Sequence, residues 1–185
     1  MNRTTRGNDA LATPLVATPP HQIPEVVRYQ MLRRRVIRLL RLLSVEPSDG
    51  VGGIIDAVAS ALDLSIIIYP TNLMADAMLG FTDYTDTLGY VIFVQSATTP
   101  EHQAHIVLHE VAHIMLETFE PLDDLPALGN AHRTADYSTP GERDAEFVAR
   151  AIGTLLDLDS DARLPTQPDP RVERLAQTLQ DRIGW

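Results

Sequence analysis

The sequence predicts an α+β fold in which a small three-stranded, mainly antiparallel sheet packs on helices. Two patterns lead to this prediction. Stretches with apolar residues at helical spacing flank a central segment, and that segment contains three short runs rich in β-branched and aromatic residues, separated by turn residues. With 185 residues, of which 44% are hydrophobic, the chain is long enough to bury one sizeable core. We therefore expect one domain with extensions.

The N-terminal part divides into a tail and a helix. Residues 1–23 are rich in Thr, Pro, Asn and Gly and have no apolar periodicity, so we expect a disordered tail. Residues 24–44 combine apolar positions at helical spacing with six arginines, which predicts an Arg-rich helix that ends before Pro47.

The arginines of this helix allow two interpretations. They could contact nucleic acid or another anionic surface, or they could form a solvated face packed on an acidic body. Residues 1–41 hold eight arginines and two acids, a net charge of +6, whereas residues 42–185 hold seven arginines and 23 acids, a net charge of −16. Because the larger part would repel phosphate and can supply acidic partners, we favour the second interpretation and expect no direct binding of nucleic acid.

The remaining elements follow from their start and stop signals. The predicted order is a helix near 51–62 capped by Ser48 or Asp49, a strand near 64–69 ended by Pro70, a hairpin of strands near 80–84 and 89–95, and helices near 100–117, 139–156 and 169–183. Residues 119–138 are expected to form a loop. We place one domain at 24–157, with its core at 50–157, and take 158–185 as a linker and a C-terminal helix packed on that domain, with Trp185 as a packing anchor.

The helix near 100–117 carries the motif His109-Glu110-Val111-Ala112-His113. Residues four apart share one face of a helix, so His109 and His113 can both turn a ring nitrogen to one cation. Glu110 then lies beside the metal, where a carboxylate can act as the general base for a water molecule. The pattern predicts one Zn²⁺ per chain and hydrolysis of amide bonds. Zero cysteines exclude a thiolate site, so the metal must use His, Asp or Glu.

A catalytic zinc needs a third protein ligand, and several residues compete for that role. We favour Glu142, in the first turn of the next helix, with Glu146 one turn later as a hydrogen-bonding partner of a ligating histidine. Glu142 could instead be the capping-box partner of Thr139. His132 and Asp136 are alternative ligands from the loop. Three further side chains are candidates for proton transfer or for stabilising an oxyanion, and they are Tyr137, His132 and His105.

The two motifs together resemble the ImmA/IrrE-type metallopeptidase family, in which HExxH is followed within a few tens of residues by ExxA(N/D/E)x(F/V)A. Here the second motif is Glu142-Arg143-Asp144-Ala145-Glu146-Phe147-Val148-Ala149, and the resemblance covers roughly residues 50–157. It implies a zincin-like active-site helix and a gluzincin-like metal site, of the thermolysin type. It departs from the family at His105, where a core aromatic residue is usual, and at Glu146, where Asn is frequent.

The resemblance implies a zinc endopeptidase that cleaves a protein of the same cell, with repressors of mobile elements and regulators of stress responses as the substrate class. No helix-turn-helix pattern is present, so a protein or peptide substrate such as a DNA-binding repressor would be recognised by the peptidase domain or by a separate partner. One alternative is a non-proteolytic metal-binding regulator, and another is a toxin-like protease that a partner or its own tail controls. The absence of a long apolar run and of a signal peptide predicts a cytoplasmic protein without a membrane partner.

The strand near 89–95 ends only a few residues before the motif helix. A strand so placed could let an extended peptide substrate pair with an exposed sheet edge. It could equally be a packed strand without that role.

Overall fold

The computed structural model describes residues 24–73, 79–119, 140–156, 164–166 and 169–183. Within these ranges the chain forms an α+β fold of five helices and three strands. The elements are α1 (Glu25–Leu42), α2 (Gly50–Leu62), β1 (Ile66–Thr71), β2 (Gly80–Thr85), β3 (Gly89–Gln95), α3 (Pro100–Thr118), α4 (Pro140–Leu156) and α5 (Pro170–Ile183). The predicted α+β class is therefore confirmed. The tail at 1–23, Trp185 and most of the predicted linker and loop lie outside the described residues.

The sheet is mixed, with strand order β1-β3-β2. β2 and β3 pair antiparallel as the predicted hairpin, but β1 pairs parallel with β3, so the expectation of a mainly antiparallel sheet was wrong. The physical reason lies in β3, where four consecutive residues, Val91 to Val94, are fully buried. A strand that is apolar on both faces belongs in the middle of a sheet, between the two less apolar strands.

β1 continues through Pro70 to Thr71, whereas the sequence predicted that Pro70 would end it. Proline has no N–H to donate to a neighbouring strand, and a strand at the edge of a sheet can leave that position without a partner. β1 is such a strand, since β3 is its only ladder partner among the described residues apart from an isolated bridge between Ile68 and Thr166.

The two faces of β3 contribute to two separate cores. Ile92 and Val94 join the larger core, which α1, α2, α3 and α4 complete. Val91 and Phe93 point to the opposite face, where they pack with Leu88 and with Val172 and Ala176 of α5. The described part of the chain therefore has a layer of helices, then the sheet, and then α5, which packs on the other face of the sheet.

α3 runs through the larger core, and its first turn is capped as the sequence predicted. The Thr99 hydroxyl accepts a hydrogen bond from the His102 backbone N–H at 3.3 Å, and Pro100 occupies the first helical position. Ten of the twelve residues from 104 to 115 are buried. The motif residues consequently lie on a helix that is packed into the core.

The start of α2 differs from the prediction that Ser48 or Asp49 caps it. The Asp49 side chain accepts a hydrogen bond from the Glu46 backbone N–H at 2.7 Å and makes no capping hydrogen bond to α2.

α1 buries one apolar face, made of Leu32, Val36, Leu39 and Leu40, against the larger core. Arg28 forms a hydrogen-bonded ion pair with Asp144 of α4. Four other arginines are exposed, and none of them forms an ion pair with a residue in the described ranges: Arg33, Arg34, Arg38 and Arg41. The expected pairing with an acidic body is thus observed for Arg28 but not for these four.

No helix in the described part of the chain is long and apolar enough to cross a membrane.

Candidate metal centre

Two motif histidines of α3 meet one carboxylate of α4. The Nε2 atoms of His109 and His113 lie 3.1 Å apart, as expected for residues four apart on one helix face. Glu142 approaches both of them, with Oε2 at 3.2 Å from Nε2 of His109 and Oε1 at 3.4 Å from Nε2 of His113. The structure therefore brings the two histidines and the predicted third ligand together, and Glu142 is in contact with both rings.

The spacing of these atoms fits a tetrahedral zinc ion. Zinc bonds to nitrogen and carboxylate oxygen measure about 2.0–2.2 Å, so tetrahedral ligand atoms lie roughly 3.3–3.5 Å from one another. One ligand atom from each of His109, His113 and Glu142 lies within 4.8 Å of the other two. The two ring nitrogens are 3.1 Å apart, and the two carboxylate oxygens of Glu142 each approach one of them, at 3.2 and 3.4 Å. These three groups form one cluster of lone-pair donors that could hold a metal ion. The donor set of two imidazoles and one carboxylate suits zinc.

Glu146 lies one turn beyond Glu142 and contacts the other ring nitrogen of His109. Its Oε2 is 3.5 Å from Nδ1 of His109 and 3.1 Å from Nε2 of His105, and its Oε1 accepts from Arg150 at 2.5 Å. Burial raises the pKa of Glu146, but the hydrogen bond from Arg150 and the charge and hydrogen bond of His105 outweigh it and bring the pKa below its usual range. A carboxylate at Nδ1 favours the tautomer whose Nε2 lone pair is directed to a metal.

The Glu110 carboxylate is buried on the side of α3 that faces the sheet. The Thr82 hydroxyl of β2 donates to Oε2 of Glu110 at 2.8 Å. Burial raises the pKa of Glu110, the Thr82 hydrogen bond and the charge of His113 lower it, and the charge of Glu142 raises it again, with a net upward shift. Glu110 follows the candidate ligand His109 directly in α3.

Gly80 allows this close approach of β2 to α3. A Cβ atom at position 80 would lie 2.3 Å from the Ile106 side chain and 3.6 Å from Oε1 of Glu110. Any larger residue would push β2 away from α3, and with it the hydroxyl that holds Glu110.

A groove of about 340 Å³ adjoins the metal centre. It is lined by Tyr29 of α1 and by residues of α4, namely Glu142, Arg143, Glu146, Phe147 and Arg150. The first turns of α1 therefore form part of the wall next to the third candidate ligand, although the sequence analysis placed the Arg-rich helix outside the core at 50–157.

The remaining candidate residues either lie outside the described part of the chain or contact other groups. His132, Asp136 and Tyr137 lie outside the described residues, as does Thr139, the proposed capping partner of Glu142. His102 contacts Thr98 at the start of α3, with 2.8 Å between its Nδ1 and the threonine hydroxyl. His105 contacts Glu146 and not the ligand atoms of the metal centre.

Sequence reasoning missed Thr82 and the pair formed by Arg28 and Asp144. Thr82 is separated from Glu110 by 28 residues, and Arg28 from Asp144 by 116 residues. The only sequence signal for Thr82 was its strand, close to the motif helix. For Arg28, the only sequence signal was the large number of arginines on a helix whose apolar face was expected to pack on the rest of the domain.

Comparison with models of known protein families, with curated proteins and with solved structures finds no match to this chain. The resemblance to metallopeptidases consequently depends on the two motifs themselves. Those motifs lie on α3 and α4, the two helices that form the metal centre.

Proposed function

We propose that this chain is a zinc-dependent endopeptidase with a gluzincin-like site, in which His109, His113 and Glu142 hold one zinc ion. The observation that carries the proposal is the convergence of these three side chains within 4.8 Å next to the buried carboxylate of Glu110. A purely structural metal site does not need a further carboxylate beside its ligands. The presence of Glu110 therefore favours hydrolysis over a non-catalytic metal-binding role.

The residues of the site would divide the reaction between them. Zinc, when bound, polarises the scissile carbonyl and lowers the pKa of water to about 7. Glu110 accepts the proton of the attacking water and returns it to the leaving amine, so the site regains its starting protonation after each cycle. Thr82 fixes the direction of the Glu110 carboxylate through its hydroxyl. Glu146 orients the His109 ring through Nδ1.

The position of β2 supports a peptide as substrate. Within the described residues β2 has β3 as its only ladder partner, and its outer edge lies on the side away from β3. An extended peptide could add to this edge as a further strand, with main-chain hydrogen bonds for affinity. Because Thr82 of β2 contacts Glu110, a peptide held there would lie close to the general base. As the motif resemblance implies, we propose a protein of the same cell, such as a repressor of a mobile element or a regulator of a stress response.

Metal content of the purified protein tests the ligand assignment. By elemental analysis we expect about one zinc per chain in the wild type and in Glu110→Gln, because glutamine keeps the size of the side chain and does not touch the ligands. Glu142→Ala is expected to lose zinc. A wild type that takes up no zinc even when zinc is supplied would contradict the proposal.

Cleavage of fluorescently labelled casein tests the reaction. We expect the zinc-loaded wild type to release labelled peptides and Glu110→Gln to release none at the same zinc content. Stoichiometric zinc without cleavage by the wild type would instead favour the non-proteolytic, metal-binding alternative.

A further inference from the structure

The N-terminal half of α1 is attached to α4 by two contacts between buried or partly buried side chains. Arg28 donates a hydrogen bond to the carboxylate of Asp144, whose side chain is only 5% exposed. The ring of Tyr29 stacks on that of Phe147, with centroids 4.6 Å apart and planes inclined by 19°. Both contacts lie close in sequence to the third candidate metal ligand, since Glu142 precedes Asp144 by two positions and Phe147 by five.

The contact between Arg28 and Asp144 is directional. Burial raises the pKa of Asp144, and the charge and hydrogen bond of Arg28 act against that shift. A buried carboxylate without a partner is costly, so the energetically favourable orientation of α4 is one that keeps Asp144 against Arg28. The guanidinium group is planar and presents its donors in a fixed geometry, which restricts the rotation of α4 about its own axis.

This rotation decides where Glu142 lies. Successive residues of a helix are about 100° apart, so Asp144 and Glu142 project about 200° from each other, one toward α1 and the other toward α3. At about 6 Å from the helix axis, a rotation of roughly 10° displaces a side-chain oxygen by about 1 Å. Zinc bonds tolerate only about 0.2 Å of variation. A small rotation of α4 would therefore remove Glu142 from the position that the two histidines define.

We propose that Arg28 is a positioning residue of the metal centre, which holds Glu142 in place for the metal by fixing the orientation of α4 through Asp144. The inference rests on the proposed function, because it takes Glu142 as a zinc ligand. In this proposal α1 contributes to the geometry of the metal centre, in addition to covering one side of the core.

The test compares zinc affinity and thermal stability in the same variants. Arg28→Met is expected to weaken zinc binding by about 10-fold or more in competition with a chromophoric chelator. It is also expected to lower the melting temperature more in the presence of zinc than in its absence. A merely structural role would lower both melting temperatures equally and leave zinc affinity unchanged, because a loss shared by the apo and zinc-bound proteins does not alter binding. That result would overturn the proposal.

Three further variants sharpen the experiment. Arg34→Met removes an exposed arginine of the same helix that has no ion pair among the described residues, and it is expected to bind zinc like the wild type. Arg28→Met/Asp144→Leu removes both charges of the ion pair, so no buried carboxylate is left without a partner and the fold is expected to be retained. It is still expected to bind zinc about 10-fold more weakly, and affinity equal to the wild type would refute the positioning role. Finally, Arg28→Met is expected to add no further loss to Glu142→Ala, since it acts through that ligand.

The outcomes distinguish this inference from the proposed function. If the wild type binds zinc and Arg28→Met binds it equally well, only the positioning role fails. If the wild type binds no zinc, the proposed function and the positioning role fail together.

Discussion

Within the described ranges, the Glu110 side chain has one hydrogen-bond partner from another element. The Thr82 hydroxyl of β2 donates a hydrogen bond to Oε2 of Glu110 at 2.8 Å, and the Glu110 residue is only 9% exposed to solvent. Hydrogen bonds to charged groups contribute about 1.5–3 kcal/mol, and losing one that orients a general base raises the barrier by a similar amount. We therefore expect Thr82→Val to cleave labelled casein roughly 10- to 100-fold more slowly than the wild type at unchanged zinc content.

The conservative substitution provides the control for this prediction. Thr82→Ser keeps the hydroxyl and is expected to retain most of the activity. Equal activity of the valine variant and the wild type would show that Glu110 does not need this hydrogen bond.

Glu146 contacts the rings of two histidines, one of which is a proposed metal ligand. Its Oε2 atom lies 3.5 Å from Nδ1 of His109 and 3.1 Å from Nε2 of His105. Partners that orient a ligating histidine typically account for about 10- to 100-fold in metal affinity. Glu146→Ala should accordingly weaken zinc binding by about 10-fold or more in a chelator competition assay. Glu173→Ala, on the exposed side of α5, is the matched control, and an equal effect of the two substitutions would contradict this role.

At the scale of single elements, α1 carries more positive charge than its surroundings compensate. Its four exposed arginines have no ion pair with described residues, and Arg34 lies four positions from Arg38, which lies three positions from Arg41. Like charges at these helical spacings each destabilise by roughly 0.2–0.5 kcal/mol.

Replacing all four arginines, Arg33, Arg34, Arg38 and Arg41, by glutamine tests this repulsion. We expect the free energy of unfolding to stay the same or to rise by about 0.5 kcal/mol at low salt, because glutamine is a good helix former and removes the repulsion. Urea denaturation measures it. Surface substitutions usually change the free energy of unfolding only slightly. A decrease of more than about 1 kcal/mol in this variant would mean that acids outside the described residues pair with these arginines.

The helices could be predicted from the sequence more completely than the sheet. The start of a helix is signalled by residues next to it in sequence. Examples are Thr99-Pro100 at the start of α3 and Asp169-Pro170 at the start of α5. The hairpin of β2 and β3 is also local. By contrast, the parallel pairing of β1 with β3 joins strands separated by another strand in sequence, and no local pattern specifies it.

The candidate site divides in the same way. His109, His113 and Glu142 were identifiable because their residue types and spacings are those that a metal needs. The contact of Thr82 with Glu110 depends instead on how the sheet lies on α3, and that of Arg28 with Asp144 on how α1 lies on α4. Neither contact has a periodicity or a motif of its own.

At the scale of the whole molecule, α5 closes the second face of the sheet. Val172 is fully buried against Leu88, Val91 and Phe93. An aspartate there would bury a carboxylate without a partner, so we expect Val172→Asp to lower the free energy of unfolding by at least about 3 kcal/mol.

Thermal unfolding followed by circular dichroism measures this effect. Gln177→Asp, on the exposed side of the same helix, should leave the melting temperature nearly unchanged. A small effect of Val172→Asp, similar to that of the control, would indicate that α5 contributes little to the fold.

The facing residues of α3 and α4 have a consequence for how the two helices align. Three histidines of α3, at 105, 109 and 113, are four residues apart, and so are the two glutamates of α4, at 142 and 146. His113 lies opposite Glu142, and His105 lies opposite Glu146. The helices are therefore antiparallel and carry matching repeats. A slide of α4 by four residues, about 6 Å, would bring Glu146 to the place of Glu142 and Arg150 to the place of Glu146. Such a slide would also separate Phe147 from Tyr29 and Asp144 from Arg28. The contacts of α1 and those of Glu146 with the two histidines therefore favour the same alignment of α4.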